Sequence, residues 1–555
     1  MAGPMTRILV LQLCRLGDII QTTPMLRGLR RQHPDADITL VLHDMMARAP
    51  VPNALYDRLI PFPYSRIGAG VSDHPDEWAA HARLVTGFVD SVCQTAHGVR
   101  EPFDVILNLT HSDLSGFLTA LIPSRAVQGA LIGRDRRRMV VGPWMTYFWS
   151  SQLERVQGCF NLVDLHNWMA GVPCDGLGLE VDVPDTARAS IAAWLDARGL
   201  ADEQLIAVQM GASDERKRWK PEQFADAINR LPPDLGEIVF VGSDTERHLV
   251  EQARAHLTRP THDATGSTTL LELAALLARS RLLLTNDTGT MHVAAAVGTR
   301  IVDISTGPVF VHETGPYGLG HFVIEPSIDC YPCVLGSDCR HIACREDIEP
   351  RDVAALAAHA LGAGPMPTPA RARIMTAEFT PSGRIDYRTV WPQAQNRAEI
   401  MRQASAQAWE ATLGAPGASV PARAGERAKV RRLPLASREA SDVTALRGLA
   451  DVARTAASLA AQIAWSTDAE RAHVSEEVSR CLRLLQRASQ METVCQPIVA
   501  YLTVRLDSVI EADLAGVSRV YAEECGAAAD RADLLADLLT SRYRAGDWRL
   551  EQAAS

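Results

Sequence analysis

A run of three leucines, Leu282-Leu283-Leu284, passes through Thr285-Asn286-Asp287-Thr288-Gly289 into Thr290-Met291-His292-Val293-Ala294-Ala295-Ala296-Val297. A short unbroken apolar run bounded by turn residues reads as a strand buried on both faces. The Ala-rich segment after it reads as a helix, so a tight Asp-Thr-Gly turn joins a parallel strand to a helix start. The first N–H groups of such a helix have no intrahelical partner and carry a partial positive charge. They suit a phosphate or a pyrophosphate. Thr288 adds a hydroxyl, Gly289 omits the Cβ that would block close approach, and His292 falls one turn in. The same spacing describes an ordinary strand–turn–helix corner capped by Asn286 or Asp287. Taken alone, the stretch leaves both readings open.

The rest of the chain supplies context. Residues 7–13 read as a strand, 18–32 as a helix and 38–42 as a second strand, which opens the chain as a βαβ unit. A helical pattern over 77–94 precedes a further buried strand at 103–109. After Pro184 a second set of strands is expected at 205–209, 237–241, 281–284 and 300–304, with helices between. The expected class is therefore α/β, with two doubly wound sheets in tandem and ligand motifs at the carboxyl ends of strands in both. That arrangement implies a cleft between them. Trp144, Tyr147, Phe148, Trp149, Phe160 and Trp168 lie in a mostly helical stretch and are expected to pack in the core.

A chain of 555 residues is too long for one core, and the usual domain size gives about three or four. The expected division is 1–183, 184–362, an extension with a flexible basic linker over 363–440, and a helical bundle of unknown role over 441–555. A net charge of -10 argues against a general nucleic-acid binder. No stretch looks like a cleaved leader, and no apolar run is long enough to span a bilayer. These features predict a cytoplasmic protein, with contact at the inner membrane at most peripheral.

Two further segments bear on function. One is Met210-Gly211-Ala212-Ser213, followed by Lys217-Arg218-Trp219-Lys220-Pro221-Glu222-Gln223-Phe224. The other is Arg7-Ile8-Leu9-Val10-Leu11-Gln12-Leu13, with Arg15-Leu16-Gly17-Asp18 after it. Together with the 282–298 stretch they occur in an order and spacing that resemble glycosyltransferase family 9, the ADP-heptose transferases of lipopolysaccharide assembly. The resemblance covers roughly residues 5–362. It implies the GT-B fold, with an acceptor-side and a nucleotide-sugar-side Rossmann-like domain facing across a cleft, followed here by a C-terminal all-α domain that it does not cover. It also implies an inverting, metal-independent transfer of heptose from ADP-heptose to an acceptor hydroxyl.

Such a transfer needs a base for the acceptor hydroxyl, cations or dipoles for the leaving diphosphate, and a pocket that orients both substrates. Asp18, just after a strand at a helix start, is by spacing alone as well placed to cap the helix; the resemblance makes it the general base. Lys217, by itself an ordinary surface lysine, becomes the cation on the departing phosphate, with Gly211 and Ser213 beside it. Glu246 follows a Gly-Ser-Asp turn, where an acid either accepts from ribose hydroxyls or faces solvent. Asp287, Thr288, Gly289 and His292 complete the expected donor site, and His292 either binds phosphate or packs beneath the turn.

Two features go beyond this pattern. Cys330, Cys333, Cys339 and Cys344 stand as C-x2-C-x5-C-x4-C. Four thiolates so close suit structural Zn or Fe, and two disulfides or four plain thiols fit the spacing too. Most other cysteines sit singly in apolar surroundings and read as core residues. Arg134, Arg136, Arg137 and Arg138 form a basic run on the expected acceptor side, either solvated or facing phosphorylated core sugars or an anionic membrane. The cysteine cluster and the helical appendage keep a protein acceptor, as in the autotransporter-modifying branch of the family, as an alternative. A non-catalytic assembly protein that binds a nucleotide sugar is another.

Overall fold

The computed structural model describes residues 6–67, 75–95, 99–133, 136–153, 155, 158–201, 203–333, 339, 341–391, 397–416, 437–463, 466, 468–491, 493–509 and 514–545. The chain divides into two compact units. The first comprises Met1–Thr110, Leu121–Ala126 and Phe160–Trp391; the second comprises His111–Ala120, Val127–Cys159 and Pro392–Ser555.

Both α/β sheets contribute to the first unit. In one, β1 (Arg7–Gln12) lies between β2 (Asp37–His43) and β4 (Phe103–Asn108), with β3 (Arg58–Phe62) beyond β2, all in parallel register. The strand order continues into β5 (Ser124–Ile132), whose residues 124–126 belong to this unit. Later β5 residues pair antiparallel with β6 (Arg138–Val141) in the second unit. The other sheet holds β7 (Leu205–Gln209), β8 (Glu237–Phe240), β9 (His262–Asp263), β10 (Ser280–Asn286), β11 (Arg300–Ile304) and β12 (Phe322–Pro326), all parallel. It is completed by an antiparallel hairpin, β13 (Ala372–Phe379) and β14 (Ile385–Thr389), in the order β14-β13-β12-β11-β10-β7-β8-β9.

Burial explains why the strands read as unbroken apolar runs. Leu205 and Ala207 of β7 enter one cluster, with Leu283, Ile301, Met291 and Val293. Ile206 and Val208 enter another, with Leu282, Leu284, Val302, Phe224 and Ile228. Each strand is covered on both faces, so alternation gives no polar positions. The first cluster also takes in Ile20 and Val163, which follow or pack beside the β1 side of the unit. Buried Asp164 ties the helix Leu162–Met169 to the hairpin: its Oδ1 accepts from Tyr317 Oη at 2.8 Å and its Oδ2 from the Ile385 N–H at 3.1 Å.

The helix expected at 18–32 forms as two, Leu16–Gln21 and Thr23–Gln32. Pro24 has no N–H to continue the ladder, and the break falls just before it. Residues 363–440 do not form one extension. Their first part makes the β13–β14 hairpin, and Arg397–Leu413 is a helix of the second unit. The linker expected at 414–440 lies largely outside the described residues.

In the second unit the helices Ser437–Ile463, Asp468–Met491, Gln496–Asp507 and Leu514–Ala545 form a bundle with Arg397–Leu413. Part of the expected 1–183 domain groups with it. Tyr147, on the helix Pro143–Leu153, lies 5.1 Å from the Trp409 ring, and Val140 N donates to Ser508 Oγ at 3.1 Å. Of the aromatics in that stretch, Trp144, Tyr147, Phe148, Phe160 and Trp168 are buried as expected. Among the described residues no helix is long and apolar enough to cross a membrane.

One contact tests the packing inside the first unit. A Cβ on Gly28 would stand 2.0 Å from Val172 Cγ1. Gly28→Ala should therefore destabilise the protein by about 1–3 kcal/mol, as overpacked core positions do. A chemical-denaturation midpoint equal to that of the wild type would show that the two segments are not packed this way.

Candidate active site

The residues in question lie at the carboxyl ends of strands in the first unit. β10 ends at Asn286, and the helix Gly289–Ala296 starts three residues later with Thr288 as its cap residue. Asn286 is fully buried. Its Oδ1 accepts from the Trp219 N–H at 3.0 Å and its Nδ2 donates to the Met210 carbonyl at 2.7 Å. One side chain thus joins the donor-side loop to both ends of the loop that follows β7. Spacing suggested a cap for Asn286; it is instead a cross-link. In the next position, Asp287 Oδ2 accepts from Lys217 Nζ at 2.5 Å, with the Asp287 side chain 7% and the Lys217 side chain 19% exposed.

Gly211 and Glu246 meet above β7 and β8. A Cβ on Gly211 would fall 1.5 Å from Glu246 Oε1, so only glycine fits. Gln209 Nε2 donates to Glu246 Oε1 at 3.2 Å, and the Ser243 N–H and Oγ donate to Oε2 at 2.7 and 2.8 Å. The carboxylate is held by its own capping box and is only partly covered, which leaves it room to accept from a ligand hydroxyl.

Asp18 is the third residue of the helix Leu16–Gln21, and its Oδ2 accepts from the Arg15 N–H at 3.1 Å. Asp18 is therefore not the N-cap residue, which is Arg15, but reaches back to it from the third helical position as in a capping box. Arg15 Nη1 donates to Ser213 Oγ at 2.6 Å. A Cβ on Gly17 would lie 2.8 Å from His292 Cδ2, and a Cβ on Gly289 would lie 3.3 Å from the Gly17 nitrogen. The start of the Asp18 helix thus abuts the start of the donor-side helix. These contacts bring the helix start that carries Asp18 together with Ser213, Gly289 and His292, next to the Lys217–Asp287 pair, while Gly211 and Glu246 lie along the β7 and β8 ends.

His292 is 4% exposed, its Nδ1 has no hydrogen-bond partner, and burial pulls its pKa down to about 4, so the ring is neutral. Asp303, absent from the expected set, lies fully buried on β11 in register with Thr285. Burial, and then the charge of Asp287, push its carboxyl well above the usual range; Ser305 Oγ donates to it at 2.7 Å. Arg15 and Asn286 were left out of the expected site because their partners, Ser213 for the one and Trp219 and Met210 for the other, are distant in the chain.

The basic run lies in the second unit. Arg134 is outside the described residues. Arg136 has φ 64°. Arg137 Nη2 donates to the Asp507 carbonyl at 3.0 Å, and Arg138 pairs with Asp113 and lies 4.7 Å from the Trp149 ring centroid. Arg137 and Arg138 are thus engaged within their own unit.

The cysteine cluster departs from a metal site. Cys330 is exposed and Cys333 and Cys344 are buried, all as unbridged thiols. Among the described residues no group of three or more His, Cys, Asp or Glu stands close enough to hold a metal ion. Burial, then Cys339, Cys344 and Cys330, push the Cys333 thiol up to about 11. The thiols act on one another electrostatically, and residues 334–338 and 340 of this segment lie outside the described residues.

Residues 93–339 match the family described as glycosyltransferase family 9 (heptosyltransferase). This stretch holds Gly211, Ser213, Lys217, Glu246 and residues 287–292, and leaves out Asp18. Lipopolysaccharide heptosyltransferase 3 of Escherichia coli K12 is 26% identical over 302 residues, which is 52% of this chain and 79% of the relative. Two solved structures are similar at a TM-score of 0.45. The ADP-heptose lps heptosyltransferase II of E. coli is 19% identical, covering 64% of this chain and 99% of that one. A glycosyl transferase family 9 protein from Veillonella parvula DSM 2008 is 24% identical, covering 57% and 85%.

The neutral His292 gives a pH prediction. Its pKa is about 4 in the fold against an ordinary 6.5, so the unfolded chain binds more protons between these values. Stability should fall as pH drops from 6.5 toward 4, by on the order of 1–3 kcal/mol from this residue. His166 and His321, also lowered to about 4 by burial, contribute in the same direction. Urea denaturation at pH 7 and pH 5 should show a smaller loss for His292→Gln than for the wild type. Equal losses would mean that the ring titrates normally.

Proposed function

We propose that this chain, which belongs to glycosyltransferase family 9, transfers a heptosyl group from ADP-heptose to a hydroxyl of the lipopolysaccharide core. The observation that carries this is the convergence of the Asp18 helix start with the Lys217–Asp287 loop and the Gly289–Ala296 helix start. The name of the relative, a lipopolysaccharide heptosyltransferase, supports the acceptor class.

In this scheme the acceptor oxygen attacks the anomeric carbon as the bond from that carbon to the diphosphate oxygen breaks. Asp18 takes the acceptor proton, and ADP departs with the bonding electrons. Attack from the face opposite the leaving group inverts the anomeric centre. Lys217 transfers its attention from Asp287 to the diphosphate, where negative charge builds in the transition state. The exposed N–H groups at the start of Gly289–Ala296 and the Thr288 hydroxyl hold the same group. Glu246 accepts from the ribose, in the space that Gly211 leaves open. These protein groups supply the charge compensation, so the scheme requires no metal ion.

The test is ADP release from ADP-heptose with a truncated lipopolysaccharide core as acceptor. Asp18→Asn, which keeps the capping acceptor but removes the base, should lower kcat by roughly 10²–10⁴ while leaving ADP binding intact. Wild-type turnover in this variant would sink the assignment. Transfer to a serine-bearing protein in place of the core would move the acceptor to the protein class.

A further inference from the structure

The cysteine-bearing segment has no role in the scheme above, yet it ends against the loop that carries Lys217. Arg345 lies on the short helix Cys344–Asp347 and is 9% exposed. Its Nη2 donates to the Glu215 carbonyl. Its own carbonyl accepts from Trp219 Nε1 at 3.3 Å and from Gln223 Nε2 at 3.2 Å. One residue therefore grips the 215–223 segment at both ends, with Lys217 between them. The same loop is held from the turn after β11, where Thr306 Oγ1 donates to the Arg216 carbonyl at 2.9 Å.

Lys217 needs such bracing. It ends a single 3-10 turn, Glu215–Lys217, which has no regular hydrogen-bond ladder to fix it. Arg345 has no carboxylate within ion-pairing distance among the described residues, and its buried Nε has no partner. Burying an unpaired guanidinium is costly, so neither charge pairing nor full satisfaction accounts for its place. Its contacts to the main chain and side chains of 215–223 do.

We infer that Arg345 is a positioning residue for Lys217, setting the loop so that the ammonium meets the donor's diphosphate. This rests on the proposed role of Lys217. The experiment compares Arg345→Met, Arg345→Lys, Trp219→Phe and Lys217→Met, together with the Arg345→Met/Lys217→Met double variant, in full-length protein. Two readouts are followed: heptose transfer from ADP-heptose, and ADP affinity by calorimetry. Arg345→Met should lower kcat on the order of 10- to 100-fold, the scale of a small misplacement of a catalytic group. It should weaken ADP binding in the same direction as Lys217→Met. Arg345→Lys should recover part of both, and Trp219→Phe should show a smaller loss. In the Lys217→Met background Arg345→Met should cost nothing more, because both changes act through one ammonium.

Losses that multiply in the double variant, or an Arg345→Met protein with wild-type kcat and ADP affinity, would overturn the inference. If Arg345→Met does not fold, wild-type values in both Arg345→Lys and Trp219→Phe overturn it instead. A wild-type protein that transfers no heptose sinks the proposed reaction, whereas the ADP-affinity cycle still decides the role of Arg345.

Discussion

A single buried amide holds the site together. Asn286 uses its carbonyl on the Trp219 N–H and its amino group on the Met210 carbonyl, so the end of β10 is fixed to both ends of the loop after β7. Without it, two buried main-chain groups would lose their partners at a cost of about 1–3 kcal/mol each. Lys217 lies two residues before Trp219 and Asp287 follows Asn286, so their 2.5 Å ion pair depends on this cross-link. The same Trp219 is gripped from the far side by the Arg345 carbonyl. The loop is short of regular structure and compensates with anchors at each end.

Where the two sheets' motifs meet, side chains are absent by necessity. A Cβ on Gly17 would stand 2.8 Å from the His292 ring, too close to be accepted without a shift, and one on Gly289 would fit only tightly, 3.3 Å from the Gly17 nitrogen. The close approach brings two helix starts together. Burial, with a lesser contribution from the charge of Lys217, keeps the His292 ring neutral. Burial, and then the charge of Asp287, raise the Asp303 carboxyl well above its ordinary range.

The strands were legible because both faces of β1, β7 and β10 are covered, which turns them into plain apolar runs. The loops expected to bind a ligand were marked by their glycines and by the family resemblance. Other features had no local signature. The helix Arg397–Leu413 buries Ile400, Ala404 and Ala408, a proper helical spacing, but alanines give little contrast with their neighbours. The hairpin at β13–β14 mixes buried and half-covered positions and so resembled an extension. That residues 127–159 group with the C-terminal helices depends on packing such as Tyr147 on Trp409, which lies 262 positions later and has no trace in the local pattern. The cysteine spacing suggested a metal because spacing conveys separation along the chain and not depth, and the fold sets Cys330 at the surface and Cys333 inside.

The resting partner of Lys217 has a kinetic consequence. With Asp287 at 2.5 Å the ammonium already has an anionic partner, so in the proposed reaction a nucleotide diphosphate would gain only the difference between two anions. Under that proposal, capture of the donor would be weaker than a lone lysine would give, and letting go of spent nucleotide correspondingly easier. Such a site would trade grip for turnover, with the carboxylate reclaiming its cation each time the leaving group drifted out.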